Sequence, residues 1–171
     1  MRRTLATDRI PFSQNLLDFR HQLHPRCVVC GPFNPWGLRV DFKALSDGSV
    51  TAAFDCRDFL EGYADILHGG VIASLLDGAM TNCLFAHGLI GVTAEITIRF
   101  QRPVVTNRSA TIRAWIEDSF LGLSRLGADL RQEGQVMATA IAKFLPRPEW
   151  AGQSVTPSAA VEDGRGGGTG R

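Results

Sequence analysis

Two groups of residues in this 171-residue chain have the types and spacing to do chemistry. The first is His68-Gly69-Gly70, followed after six residues by Asp77, which sits inside the apolar run VIASLLDGAMTNCL. Burying a carboxylate there is costly unless something compensates it. If a helix begins near Gly69, its first amides lack intrahelical partners and carry the positive end of the helix dipole. Two glycines at that point let a ligand approach the backbone, so the turn can bind an anion or polarise a carbonyl oxygen. Asp77 lies two turns further in, too deep to be a cap. At about 100° per residue it shares its side of the helix with Gly70, Ala73, Ser74, Thr81 and Leu84, and the small residues leave room beside it. The other reading has Asp77 paired with an arginine or accepting a hydrogen bond in the core, and residue chemistry alone leaves both open.

The second group is His21, His24, Cys27 and Cys30, spaced by threes. Cys-x2-Cys lets two thiolates reach one zinc, and a nearby histidine could complete the set. Four ligands within ten residues is tighter than the usual two separated pairs. The expectation is therefore no metal and a structural loop packed near a pocket mouth, with zinc on His24, Cys27 and Cys30 as the alternative. Glu61 and Asp65 flank the His-Gly-Gly triplet and read as solvated loop carboxylates. Arg99, Arg102, Arg113 and Arg125 sit on or beside strands. Any of them could meet phosphate, and Arg102, just before Pro103, is the best placed.

These residues need elements to hold them. Phe12, Leu16, Phe19 and Leu23 share a helical face, which predicts a short helix over 12–23. HPRCVVCGPFNPWGL (24–38) reads as an irregular loop. LRVDFKAL and SVTAAF read as two strands around a Ser46-Asp47-Gly48 turn. From Gly69 to about His87 runs the one long helix, apolar on more than one face and so buried on most sides. Period-two patterns follow. In TAEITIRF, Ala94, Ile96, Ile98 and Phe100 alternate with Glu95, Thr97 and Arg99. SATIRAWIED, LSRLGADLRQEG and QVMATAIAKFLP continue as strands of an antiparallel meander. Trp115, Met137 and Ile141, on otherwise polar strand faces, suggest a further interface. A sheet with one apolar face needs a cover, and the long helix supplies it: an α+β architecture, a curved antiparallel sheet wrapped around one central helix.

A formal net charge of +1 argues against a nucleic-acid partner. No apolar run reaches membrane-spanning length without Asp77 or a glycine interrupting it. The N-terminus shows no secretory h-region, and four cysteines are too few for a disulfide framework, so a reducing, cytoplasmic setting is expected. The Gly/Ser-rich end, 149–171, is expected to be disordered.

His-Gly-Gly, the spaced Asp77, EGYADILHGGVIASLLDGAM, CVVCGPFNPWGLRVDF and GVTAEITIRF together resemble the hotdog-fold acyl-CoA thioesterases, most closely the phenylacetate-pathway (PaaI-type) branch. The resemblance covers roughly Cys27 to Pro146. It implies an N-terminal extension at 1–26, a hotdog domain at 27–148, an acyl-CoA substrate, no cofactor, and self-association as a homodimer or homotetramer. It also implies roles. Gly69 would donate its amide to the thioester oxygen. Asp77, from the facing subunit, would act as nucleophile or general base. Thr93 would orient the attacking water, and His68 would shape the turn. Gly70, Glu61, Ser74 and Arg102 are the expected substrate-binding positions. Relatives with an Asn or Gln just before the triplet have a second polariser, whereas this chain has Glu61-Gly62 there. That departure motivates the alternative of a non-catalytic acyl-CoA-binding module on the same fold. By parity Thr93 falls with Glu95 and Thr97 on the outer face of its strand, so its reach to Asp77 is expected to depend on its place at the strand's start.

Overall fold

The computed structural model describes residues 12–151; the rest of the expected tail lies outside the described residues. Helix α1, Phe12–Leu23, forms where the apolar spacing places it. Leu16 is buried, and Phe12, Phe19 and Leu23 pack against the core. Helix α2, Gly69–Ala86, is the long one. His68 caps its start, its Nδ1 accepting from the Gly70 amide at 2.8 Å. It ends in a Schellman motif: Gly88, at φ 73°, donates to Phe85 O, and Leu89 donates to Leu84 O. By length and composition α2 could cross a membrane, but twelve of its eighteen residues are buried inside this fold.

The strands are β1 (Lys43–Ala44), β2 (Val50–Cys56), β3 (Glu61–Tyr63), β4 (Ile66–Leu67), β5 (Gly91–Phe100), β6 (Arg108–Phe120), β7 (Leu123–Gln132) and β8 (Gln135–Pro146). Six form one antiparallel sheet in the order β1-β2-β6-β7-β8-β5, and β3 pairs with β4. The meander is thus β6-β7-β8. β5 is not its first strand but crosses to the far edge and pairs with β8. Its two hairpins turn on Leu121-Gly122 and Glu133-Gly134, all four residues at positive φ, as two-residue turns between twisted strands require.

The inner face reads as its alternation predicts: Ala110, Ile112 and Ala114 on β6, and Ala138, Ala140, Ala142 and Phe144 on β8, are buried under α2. This is the α+β fold expected, one central helix covered by a curved antiparallel sheet. The expected strand over 38–45 shrinks to β1. The amides of Leu38 and Val40 go to the carbonyls of Val28 and Val29 in the preceding loop, and Arg39 sits at φ 54°, so the sheet loses this segment. Of the three residues expected to mark an interface, Met137 is covered and Trp115 lies across Gly127, leaving Ile141 exposed.

Candidate active site

The turn into α2 is held from three sides. Leu67 donates to Val104 O, His68 to Leu60 O, and a Cβ on Gly62 would stand 2.9 Å from the His68 ring. His68 therefore stays beside the backbone as a cap and a wall. Its Nδ1 takes the Gly70 amide, and its carbonyl takes the amides of Val71 and Ile72. The Gly69 amide has no acceptor among the described residues. It is the one first-turn donor left to a ligand, at the positive end of an eighteen-residue helix. The Phe100 ring lies over this glycine, 3.7 Å from where a Cβ would stand. Ser74 Oγ donates back to Gly70 O, so it is tied to the helix's first turn.

Asp77 is half-buried, and Thr93 Oγ1 donates to its Oδ1 at 2.6 Å. Burial pushes its carboxyl above the usual carboxylate range. The Thr93 bond pulls it partly back, Cys27 adds a further upward push, and His24 a downward one. Thr93 does not reach Asp77 by sitting at the strand's start. A β-bulge between Thr93 and Glu95 inserts Ala94: Thr93 pairs with inward Phe144 and Glu95 with outward Lys143. The extra residue reverses the alternation, so Thr93 faces the helix side along with Ile96 and Ile98.

Two features escaped the sequence reading. Val29 of the Cys-x2-Cys loop packs directly on Gly78, next to Asp77, where a Cβ would fall 2.6 Å from its Cγ1. Asn82 is fully buried one turn beyond, donating to Gly78 O and to Cys30 Sγ. A polar residue in the run LLDGAMTNCL was the available signal for it.

The other expected positions are scattered. Glu61 Oε1 accepts from Thr106 Oγ1 at 2.8 Å. Asp65 is exposed at φ 61° in the turn between β3 and β4, its carbonyl accepting from the Thr106 amide. Arg102 is exposed and donates to Val136 O, while Arg113 and Arg125 are engaged by Asp47 and Glu117. His24, Cys27 and Cys30 come together, but His21 is exposed and stands outside that cluster.

This architecture and this helix entry define a hotdog domain. Residues 64–138 match the family described as the thioesterase superfamily. It is similar to a crystal structure described as a thioesterase superfamily protein: 28% identity, TM-score 0.65, over 67% of this chain and 60% of that one. The chain thus spans about three-fifths of the length of that relative. It is also similar to the PaaI protein of the E. coli phenylacetic acid degradation operon (18% identity, TM-score 0.68, 80% and 96% covered). A third is a hypothetical thioesterase of Streptococcus pneumoniae solved with coenzyme A (20% identity, TM-score 0.59, 63% and 87% covered). That pneumococcal protein has also been solved with an aspartate or a threonine replaced by alanine.

Proposed function

We propose that this chain hydrolyses acyl-CoA thioesters to the free acid and coenzyme A, at a site made by two copies. The observation that carries the reading is the Thr93–Asp77 pair, a half-buried carboxylate with one oxygen held by a hydroxyl. Thr93 fixes Oδ1 and leaves Oδ2 to face a substrate or a water. Asp77 either attacks the thioester carbon itself, giving a mixed anhydride that water then hydrolyses to the free acid, or takes the proton of a water that attacks that carbon. The Gly69 amide stabilises the charge that develops on the carbonyl oxygen as the C–S bond breaks. The coenzyme A thiolate leaves and collects a proton.

Gly69 and Asp77 are eight residues apart on one helix, about 12 Å along its axis, too far to act on one bond. A second copy supplying the carboxylate removes that conflict. In β5, paired to β8 on one side only among the described residues, Ile96 and Phe100 stay 36% and 54% exposed; a ten-residue edge strand of this kind is a ready pairing surface for another copy. The pneumococcal relative supports the chemistry: it was solved with coenzyme A, and its two alanine replacements lie sixteen positions apart, the separation of Thr93 and Asp77.

The test follows free thiol release from short, medium, long and aromatic acyl-CoAs. Asp77→Ala should lose on the order of 10²–10⁴ in kcat. Gly69→Pro removes the one N–H at a position where helices accept proline, and should lose on the order of 10²–10³. Mixing the two dead variants should restore about a quarter of wild-type turnover, since a mixed dimer rebuilds one intact site. Binding without turnover would make the domain an acyl-CoA-binding module instead. Unchanged turnover in Asp77→Ala would remove the mechanism.

A further inference from the structure

We propose that His24, Cys27 and Cys30 bind one zinc-class divalent ion, which closes the 24–30 loop where it packs on α2 beside Asp77. Their ligand atoms all lie within 4.8 Å of one another, and His24 Nδ1 stands 3.7 Å from Cys30 Sγ. Zinc bonds of about 2.1 Å to nitrogen and about 2.3 Å to sulfur, at a tetrahedral angle, set those atoms about 3.6 Å apart. The pair therefore already stands at the edge length of a zinc tetrahedron.

The loop is built to keep them there. The His24 amide continues from α1 onto Arg20 O, and its ring rests edge-on against Phe85 at 4.8 Å. Cys27 donates to His24 O and Gly31 to Cys27 O, a closure so tight that a Cβ on Gly31 would lie 2.3 Å from Cys27 N. Both sulfurs receive N–H donors, Cys27 from the Val29 amide at 3.4 Å and Cys30 from Asn82 Nδ2 at 3.5 Å. Donors of this kind steady metal-bound thiolates. Asn82 supplies an independent sign. It is fully buried, and its Oδ1 has no partner among the described residues, so protein atoms alone do not complete this network.

The ion also has a way in: a cleft of about 280 Å³ lined by Arg20, His21, Arg39 and Asp41 reaches Cys30. Three protein ligands leave one position for water.

The test uses the full chain, reduced and stripped with a chelator, titrated with Co²⁺ and then Zn²⁺; none of its readouts depends on catalysis. We expect one equivalent bound, a sulfur-to-cobalt charge-transfer band, tetrahedral d–d bands, and displacement of cobalt by zinc. Cys27→Ser and His24→Ala should weaken binding at least about tenfold. His21→Ala should bind as the parent does. Wild-type titration reads the site even if a variant fails to fold. Uptake below about 0.2 equivalents by reduced wild type, or full uptake by Cys27→Ser, would overturn the assignment.

Discussion

Alanine at position 78 tests how the Cys-x2-Cys loop sits on the central helix. A Cβ there falls 2.6 Å from Val29 Cγ1, 3.1 Å from its Cβ and 3.4 Å from its Cγ2, where relaxed carbon contacts are about 3.5–4 Å. Val29 is β-branched, buried, and fixed between two cysteines, so its isopropyl group cannot turn aside without moving the loop. Overpacking of this kind costs about 1–3 kcal/mol, and a clash this short belongs near the top of that range. Alanine's helix preference over glycine offsets about 1 kcal/mol. The expected net loss for Gly78→Ala is therefore about 2 kcal/mol. In a Val29→Ala background the Cγ1 clash is gone, and the remaining contact needs a shift of only a few tenths of an ångström. There Gly78→Ala should be neutral or stabilising by up to about 1 kcal/mol. Urea denaturation of the four proteins, with m unchanged, gives the cycle; the expected coupling is about 2–3 kcal/mol. Additivity within about 0.5 kcal/mol would refute the contact.

Thr93→Val removes the donor to Asp77. A hydrogen bond to a charge is worth about 1.5–3 kcal/mol, so kcat/KM should fall at least about tenfold. Because that bond lowers the Asp77 pKa, the acidic limb of the pH–rate profile should move to higher pH, and Thr93→Ser should restore it. Asp77→Asn should raise stability at neutral pH but not at acid pH, as thermal melts across pH 4–8 would show. Burial raises the folded pKa of Asp77 above its unfolded value, so stability is intact below the unfolded pKa and is lost as pH rises through the folded one. Deleting Ala94 removes the bulge but leaves Thr93 next to outward Glu95 and opposite inward Phe144, so regular alternation keeps Thr93 on the helix side. The domain should still fold and stay more active than Thr93→Val, and activity as low as Thr93→Val would show that the inward face alone does not bring Thr93 to Asp77.

What the sequence made legible was whatever a local period encodes. The span of α2, the inner faces of β6 and β8, and α1 follow from apolar spacing, because burial on one face writes itself at 3.6 or 2 residues. What it hid depends on a single extra residue or on pairing at long range. The bulge at Ala94 breaks the period-two reading at the one point where Thr93 turns inward to reach Asp77, and nothing in GVTAEITIRF marks it. The place of β5 at the far edge of the sheet is a matter of topology, which strand composition does not carry. The segment 38–42 has strand-like residues, yet its amides are claimed by the loop before it. Asn82 was visible as a polar residue in an apolar run, but its meaning required Cys30, fifty-two residues away.

The same bulge bears on why Asp77 can stand in a helix core at all. A lone carboxylate at that depth would protonate or destabilise the fold. Thr93 offsets part of the burial by one hydrogen bond, and only because β5 is out of phase there. Beyond the bulge, from Glu95 to Phe100, β5 pairs with β8 in regular register. That straight stretch carries the exposed Ile96 and Phe100, and Phe100 lies over Gly69. One strand thus holds the acid's partner at one end and borders the amide donor at the other, and between them its edge pairs with no further strand among the described residues. A second copy entering along that edge would cover the donor of one chain while bringing a carboxylate of its own. On the proposed two-copy site the charge buried in α2 would be one half, and the edge of β5, which pairs with no further strand among the described residues, is where the other half would join it.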